Sequence, residues 1–389
     1  MHEMRMRKAT AALVGLLLAG VAATPAHADT IRSQQWHLDA MKADEIWKIS
    51  TGKGVTIAVI DSGVNRIPEL EGQVLPGKDF EPDSVEGDER TDVSSHGTTM
   101  AAVMAGSGKH PSGDGSFGLA PGAKILPIRV PHETNRATPS WVAAIRYAAD
   151  SDAKIINMSL ALDGTANDDE PRREAVKYAL SKGKLVFAGT GNYGKRDLFY
   201  PAATPGVVGV GAVDASGEPT KESQYGPQVD MAAPGIDIVT ACAGKTGLCK
   251  SSGTSDASAL ASASAALLWS AHPDWTNNQV LRVLLNNAGK PVDGSQRNDF
   301  VGYGTVRPRV ALQTPGDPGP ADVYPLPDLA ASQAGAKSPS AAASAAPSPA
   351  PQAAEEAKGG SSLLWVGLGL GACVFIGGAV TAVVVRRNR

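Results

Sequence analysis

Four residues of the types used in acyl transfer stand where a strand would end or a helix would begin. They are Asp61 in Val-Ile-Asp-Ser-Gly, His96 in Ser-His-Gly-Thr, Asn192 in Gly-Thr-Gly-Asn and Ser255 in Gly-Thr-Ser. Acyl transfer needs a nucleophile, a base that takes its proton, an acid that orients the base, and a donor that faces the oxyanion. Each residue alone is more often a cap or part of a turn. Together they supply one residue of each required kind.

Ser255 lies where a turn of small residues continues into an apolar helix. The stretch Ser251–Ser258 runs directly into Ala259–Ala271, which is rich in alanine and leucine and carries no charge. A serine in the first turn of a buried helix has its oxygen close to free backbone N–H groups and to the positive end of the helix dipole. Because both favour negative charge, this position suits a nucleophile.

Alternating strands and helices are expected to position these residues. Continuous apolar runs predict strands buried on both faces, at Val55–Ile60, Lys124–Val130, Ala153–Leu160, Lys184–Ala188 and Val207–Val213. Helical spacing predicts helices at Trp36–Lys48, Thr98–Ala105, Ser140–Asp150, Pro171–Lys182, Ser255–Ala271 and Thr276–Ala288. The alternation predicts an α/β fold, a mostly parallel sheet with helices on both faces. In such sheets the functional residues collect at the carboxyl ends of the strands, where Asp61 lies.

The two ends of the chain predict export and membrane attachment. Residues 1–28 have the basic start, the apolar run and the Ala-His-Ala cleavage site of a secretory signal peptide. Residues 29–312 are the predicted domain, and residues 313–361, rich in Pro, Ala and Ser, are a predicted linker. Residues 362–385 carry no charge and, at about 1.5 Å per residue, are long enough for one membrane-spanning helix. The arginines of residues 386–389 place the C-terminus in the cytoplasm and the domain outside a single-pass cell membrane protein.

Composition and cysteine spacing limit the partners further. The formal net charge of −3 argues against an electrostatic nucleic-acid binder. Cys242 and Cys249 enclose a short loop of the predicted extracellular domain, which predicts a disulfide, whereas Cys373 falls in the membrane helix.

The acidic stretch Glu81–Asp92 is either a calcium loop or a solvated loop, and its irregular spacing favours the solvated loop. We therefore predict no cofactor and no metal site.

Six motifs make the chain resemble the subtilases, the subtilisin-like serine peptidases. They are Val-Ile-Asp-Ser-Gly (59–63), His-Gly-Thr (96–98), Asn-Met-Ser-Leu (157–160), Gly-Asn (191–192), Ala-Ala-Pro-Gly (232–235) and Gly-Thr-Ser (253–255). The resemblance covers Trp36 to about Leu312 and implies the subtilisin-like α/β fold. It also implies a triad of Asp61, His96 and Ser255, with Asn192 and the Ser255 amide holding the oxyanion. The implied reaction is cleavage of peptide bonds through an acyl-enzyme.

The same resemblance implies where a substrate would bind. Two backbone edges would flank an extended peptide, one formed by Ser159, Leu160 and Ala161 and the other by Gly189, Thr190 and Gly191. Phe199 precedes Tyr200-Pro201 and stands where subtilases usually have a small residue at the floor of the specificity pocket. A ring in that place implies a preference for Ala or Ser before the scissile bond.

Asp256 departs from the family pattern, which usually has methionine after the nucleophilic serine. An acid in the first turn of a helix is stabilised by the helix dipole, and that alone could explain the residue. A carboxylate beside the site is also expected to raise the pKa of His96 and to oppose the oxyanion. It would further attract Lys or Arg just after the scissile bond.

The whole arrangement resembles the mycosins, membrane-anchored subtilases of type VII secretion. Signal peptide, peptidase domain, Pro-rich linker, membrane helix and basic tail follow one another in the same order. This resemblance implies that the protein processes exported proteins, with the type VII membrane complex as a partner. The alternative is a structural subunit of the secretion assembly whose proteolytic activity is dispensable. A lipase or esterase is disfavoured because its nucleophile would stand in Gly-x-Ser-x-Gly.

Overall fold

A seven-stranded sheet lies at the centre of the protein, in a computed structural model that describes residues 30–132, 139–164, 169–244 and 246–336. Its strands are β1 (Thr56–Asp61), β2 (Lys78–Asp79), β3 (Lys124–Arg129), β4 (Ile155–Met158), β6 (Leu185–Gly189), β8 (Val208–Val213) and β9 (Met231–Pro234). They follow the spatial order β2-β3-β1-β4-β6-β8-β9, and neighbouring strands are parallel. Two antiparallel pairs stand apart from this sheet. They are β5 (Leu162–Asp163) with β7 (Phe199–Tyr200), and β10 (Ile238–Ala241) with β11 (Leu248–Ser251).

Helices cover both faces of the sheet, as the sequence predicts. They are α1 (Ile31–Gln34), α2 (Trp36–Ala40), α3 (Ala43–Ile46), α4 (His96–Ala105), α5 (Pro139–Asp150), α6 (Glu170–Ser181), α7 (Thr254–Ala271), α8 (Asn277–Asn286), α9 (Pro308–Gln313) and α10 (Pro327–Ala336). The helices α4 and α7 share one hydrophobic core with one face of the sheet, and α5 and α6 share a second core with the opposite face. The predicted α/β class with a mostly parallel sheet is therefore confirmed.

The helix α7 is the element around which the site forms. Nearly every residue from Thr254 to Trp269 is buried, which follows from a helix that is apolar or small-sided all round. It packs against α4 and against β4, β6, β8 and β9. Its N-terminus thus reaches the carboxyl ends of the strands.

The N-terminal helix predicted at Trp36–Lys48 is instead divided into short helices. The backbone of Lys42, between α2 and α3, has φ of 62°, in the left-handed region. An α-helix cannot continue through that conformation, so helical spacing in the sequence overestimated the length of the element.

Residues 313–331, which the sequence assigned to the linker, lie against the folded domain. Leu326 is buried within the main core, and the Tyr324 hydroxyl donates a hydrogen bond of 3.0 Å to the carbonyl of Gly206. The guanidinium of Arg282 donates to the carbonyl of Pro318 at 2.7 Å. The folded region therefore extends past the boundary predicted at residue 312. Composition missed this because a segment rich in Pro and Ala can dock through a few apolar and polar anchors.

Several predicted segments lie outside the described residues. These are the signal peptide at residues 1–28, the remainder of the linker, the membrane helix at 362–385 and the tail at 386–389. In the part of the chain that the structure describes, no helix is long and apolar enough to cross a membrane.

A disulfide joins Cys242 to Cys249, as predicted. The two Cα atoms lie 6.0 Å apart at the end of the hairpin formed by β10 and β11. The other end of the hairpin, at Ser251, leads into Ser252 and the turn before α7.

Candidate active site

Asp61 and His96 meet at the carboxyl edge of the sheet. Asp61 is the last residue of β1, and His96 is the first residue of α4. The Nδ1 atom of His96 lies 2.7 Å from Oδ1 of Asp61. The Asp61 side chain is fully buried, whereas 25% of the His96 side chain is exposed. A buried carboxylate on Nδ1 fixes the orientation of the imidazole and leaves its other nitrogen for a reaction partner.

Gly97 makes this close pairing possible. A Cβ atom on Gly97 would lie 2.2 Å from the carbonyl oxygen of Gly63 and 3.0 Å from Cβ of Asp61. Any side chain would therefore push α4 away from β1. The glycine of the His-Gly-Thr motif is explained by this contact between helix and strand.

A second buried carboxylate, that of Asp92, holds the segments that carry Asp61 and His96 together. Asp92 accepts hydrogen bonds from the Ser62 hydroxyl at 2.8 Å and from the Thr98 amide at 2.8 Å. It thereby links the residue after Asp61 to the first turn of α4. Residues 82–88 of the acidic stretch Glu81–Asp92 are exposed, as the predicted solvated loop requires, whereas Asp92 at its end is only 5% exposed. Ser62 lies 30 residues away in sequence, and no local pattern indicates this contact.

Ser255 projects from the first turn of α7 into the same cleft. Its hydroxyl donates to the carbonyl of Ser159 at 3.2 Å, so it must turn toward the imidazole before it can transfer a proton. Beneath it, Asn157 and Ser159 form a buried network with two serines of α7. The partners are Ser258 and Ser262, which sequence reasoning did not single out. Their period of four along an otherwise apolar helix is the signal that could have found them.

Asn192 is oriented by the start of α7. Its side-chain carbonyl accepts hydrogen bonds from the Thr254 amide at 2.8 Å and the Thr254 hydroxyl at 3.0 Å. Because the carbonyl oxygen is occupied, the amide nitrogen is the end of the side chain that remains for the cleft. Asn192 and Ser255 both line one cavity of about 430 Å³. The arrangement can present an N–H donor to an oxyanion formed at Ser255.

The two predicted substrate edges border this cavity only in part. Ser159, Leu160, Ala161 and Gly189 line it. Thr190 is fully buried and donates its amide to Val210, and Gly191 donates its amide to the Thr254 hydroxyl at 3.0 Å. These two residues thus support the edge through backbone contacts and do not line the cavity.

Phe199 lies directly behind the second edge. It is 3% exposed, and two of its ring carbons lie 2.9 and 3.0 Å from where a Cβ of Gly191 would stand. The Tyr193 ring, which lines the cavity, stacks at a tilt with its centroid 5.5 Å from that of Phe199. The ring of Phe199 thus lies behind the cleft wall and does not itself line the cavity.

Electrostatics favour a charged imidazole in the cleft. Burial opposes the charge, but the Asp61 carboxylate, its hydrogen bond, Asp256 and Asp92 together raise the pKa of His96 from 6.5 to about 8. The pKa of Asp61 is lowered: burial acts to raise it, but the charge and hydrogen bond of His96 outweigh that effect. The opposite shifts both favour the charged forms, Asp61 as carboxylate and His96 as imidazolium.

Asp256 is buried beneath the cleft and does not line it. Its side chain is 0% exposed, and Oδ2 accepts a hydrogen bond of 2.8 Å from Ser251. Burial raises its pKa from 3.8 to about 6, against the opposing effects of Ser251 and His96. The expected rise in the pKa of His96 agrees with this placement. The expected attraction of a basic substrate residue loses its basis, because the carboxylate has no exposed surface.

His132 is a second histidine in the cleft that sequence reasoning missed. It follows β3, which pairs with β1, and so emerges beside Asp61. The centroids of the His96 and His132 rings lie 4.7 Å apart, and both residues line the cavity with Ser255. The available signal was a histidine just beyond the carboxyl end of a predicted strand.

The sequence of this protein is similar to those of known serine proteinases. The sequence profile of the subtilase family matches residues 52–304. A thermophilic serine proteinase from Bacillus sp. (strain AK1) is 37% identical over 267 residues, which are 68% of this chain and 63% of that relative. The match therefore covers less than two thirds of the relative's length.

Two solved structures that are similar in fold come from type VII secretion systems. MycP1 from the ESX-1 type VII secretion system is 28% identical with a TM-score of 0.66, covering 77% of this chain and 90% of that chain. The periplasmic assembly from the ESX-5 inner membrane complex contains a chain that is 27% identical with a TM-score of 0.65, covering 75% of this chain and 87% of that chain.

Proposed function

Because this chain belongs to the subtilase family of serine-type endopeptidases, we propose that it cleaves exported proteins at the outer face of the cell membrane through Ser255, His96 and Asp61. The observation that carries the proposal is the convergence of these residues and Asn192 on one edge of the sheet. They come from β1, α4, the loop after β6 and α7. No single element could assemble them.

Acylation begins when the Ser255 hydroxyl turns from Ser159 toward the imidazole of His96. The oxygen attacks the scissile carbonyl while His96 accepts the proton, and the Asp61 carboxylate stabilises the resulting imidazolium. The carbonyl oxygen gains the negative charge and accepts hydrogen bonds from the Asn192 amide and the Ser255 backbone N–H. When the C–N bond breaks, His96 returns its proton to the departing amine.

Deacylation repeats these steps with water. His96 takes a proton from a water molecule, whose oxygen attacks the ester carbonyl, and the Ser255 oxygen leaves with that proton. The substrate runs as an added strand between the edge at residues 159–161 and the edge that begins at Gly189. The ring of Phe199 behind Gly191 restricts the side chain before the scissile bond to a small one.

The proposed setting is type VII secretion. It is supported by the similarity in fold to MycP1 and to a chain of the ESX-5 assembly, and by the predicted signal peptide, linker and membrane helix. A protease anchored beside an export complex would meet its substrates as extended chains. The proposed partners are therefore exported proteins and the secretion complex in the membrane.

Active-site labelling of the full chain tests the catalytic assignment. A fluorophosphonate probe should label the protein in membranes, and Ser255→Ala should abolish both labelling and cleavage. Ser252→Ala is the matched control, since Ser252 is exposed and lies three residues before Ser255. Labelling that persists in Ser255→Ala would place the nucleophile elsewhere.

A secretion assay separates the proposal from its alternative, the structural subunit. Deletion of the protein and Ser255→Ala are compared in the same strain. If secretion fails only on deletion, the assembly role is independent of cleavage. If substrates also accumulate uncleaved in Ser255→Ala, processing is a function of the protein.

A further inference from the structure

Three metal-ligating side chains converge in the cleft. Asp61, His96 and His132 each offer one ligand atom, and these atoms all lie within 4.8 Å of one another. His132 has no part in the peptidase mechanism described above. We propose that the three residues form a binding site for a divalent transition metal ion of the Zn²⁺ class, and that the bound ion reversibly blocks catalysis.

The donor set selects the class of ion. Two imidazoles and a carboxylate are ligands that Zn²⁺ and its neighbours bind, whereas Mg²⁺ and Ca²⁺ prefer oxygen alone. Tetrahedral zinc with ligands at about 2.0–2.2 Å holds them roughly 3.3 Å apart. Starting from 4.8 Å or less, the side chains must draw together by at most about 1.5 Å. The fourth position is open to water from the cavity.

One oxygen of the Asp61 carboxylate accepts no hydrogen bond from the described residues. Asp61 Oδ1 accepts hydrogen bonds from His96 and from the Ser62 amide. Oδ2 is buried and, among the described residues, has no hydrogen-bond partner. A buried carboxylate oxygen without a donor is costly, and a cation satisfies it.

The position of His132 is anchored. The Trp141 indole donates a hydrogen bond of 3.0 Å to the carbonyl of Pro131, the residue before His132. Trp141 is itself buried in the second core, so the end of β3 is tied to α5. This contact holds the backbone beside the cleft, while the partly exposed imidazole can rotate toward an ion.

Metal on either nitrogen of His96 stops acylation. On the nitrogen that faces Ser255, the ion occupies the lone pair that must accept the serine proton. On Nδ1, it displaces the bond to Asp61 and leaves the proton on the nitrogen that should be the acceptor. No covalent bond of the protein is made or broken, so removal of the ion by a chelator restores activity.

The test compares metal binding and inhibition in the full chain. Binding of Co²⁺ to the Ser255→Ala protein is followed by visible absorption, and inhibition of the active protein by Zn²⁺ is followed by fluorophosphonate labelling. We expect one ion bound, loss of labelling at micromolar Zn²⁺, recovery with a chelator and no effect of Mg²⁺. His132→Gln should weaken both effects by at least the roughly 10–100-fold typical of losing an outer-shell partner. The matched control is His110→Gln, at a partly buried histidine outside the cluster, which should behave as the parent.

Each variant's inhibition is expressed against its own uninhibited labelling, so a change in basal activity does not obscure the result. Equal Zn²⁺ sensitivity in His132→Gln and in the parent would overturn the proposal, as would the absence of Co²⁺ binding to Ser255→Ala. The inhibition arm rests on the proposed peptidase activity. The Co²⁺ arm does not, so a protein that lacks peptidase activity and still binds Co²⁺ through His132 would contradict only the proposed function.

Discussion

Replacing Asp256 with asparagine should stabilise the protein and shift the pH dependence of its activity, whereas a simple helix cap predicts a loss of stability and an unchanged pH profile. The substitution keeps the shape of the side chain and removes its charge. In the structure that charge is fully buried, receives one hydrogen bond from Ser251, and has its Oδ1 atom without a partner among the described residues.

The raised pKa of Asp256 sets the size of the stability effect. A shift from 3.8 to about 6 corresponds to roughly 3 kcal/mol at about 1.36 kcal/mol per unit. Because the folded protein holds this proton more tightly than the unfolded chain, stability is lost as the pH rises from about 3.8 to about 6 and stays lost above that. The favourable interaction of the Asp256 charge with the helix dipole offsets only about 0.3–1 kcal/mol of this loss. Asp256→Asn should therefore stabilise the protein at pH 7 or above, by up to about 3 kcal/mol.

The same charge raises the pKa of His96, which must be neutral to act as a base. With that pKa at about 8, activity rises with pH through about 8. Removing the Asp256 carboxylate should lower the pKa of His96, to which Asp61 contributes more than Asp256 does. A fall of about one unit would raise the neutral fraction at pH 7 from about one tenth to about one half, a gain of about fivefold in kcat/KM, and a smaller fall gives a smaller gain. At a pH above the His96 pKa of both the parent and the variant, His96 is neutral in both proteins. Any gain in kcat/KM that remains there measures the loss of repulsion between the Asp256 charge and the developing oxyanion.

Two measurements decide the matter. The first is kcat/KM against pH for a neutral peptide substrate, and the second is thermal unfolding in the Ser255→Ala background, where self-cleavage is prevented. Asp237→Asn, at an exposed carboxylate, is the matched control. An unmoved pH profile together with a lower Tm would refute the reasoning and leave Asp256 as a helix cap.

Three further predictions concern the oxyanion, the disulfide and the specificity pocket. Asn192→Ala should fold normally and lose about 10²–10³ in kcat, the cost known for an oxyanion-hole donor in subtilisin; an unchanged kcat in a peptide assay would remove Asn192 from that role. Replacing both Cys242 and Cys249 with serine should lower the free energy of unfolding by about 2–3 kcal/mol, since the loop is short; chemical denaturation measures this, and equal stability contradicts it. A peptide library should show cleavage after Ala or Ser, and Phe199→Ala should extend this to larger residues; cleavage mainly after aromatic residues in the parent would show that the ring of Phe199 leaves the pocket open.

Local patterns in the sequence identified most of the central strands and the reacting groups. Strands buried on both faces must be apolar throughout, so runs such as Val55–Ile60 identified five of the seven strands to within two residues at each end, whereas β2 and β9 were not predicted. Asp61, His96 and Ser255 were recognisable because each stands at the junction of a strand or helix with a turn that only small residues can form. The limit appeared at Lys42, where the helical spacing continues through a break in the backbone.

Only the tertiary structure decided what surrounds those groups. Asp92 acts through Ser62, which is 30 residues away in sequence, and Asn192 is oriented by Thr254, which is 62 residues away. His132 stands beside His96 because β3 pairs with β1, and the segment after residue 312 folds back to Gly206. Asp256 was expected at the cleft surface, yet it is buried beneath the cleft. Propensity and periodicity describe a residue and its neighbours along the chain. The pKa of a carboxylate and the partner of a histidine depend instead on which distant elements fill the space around them.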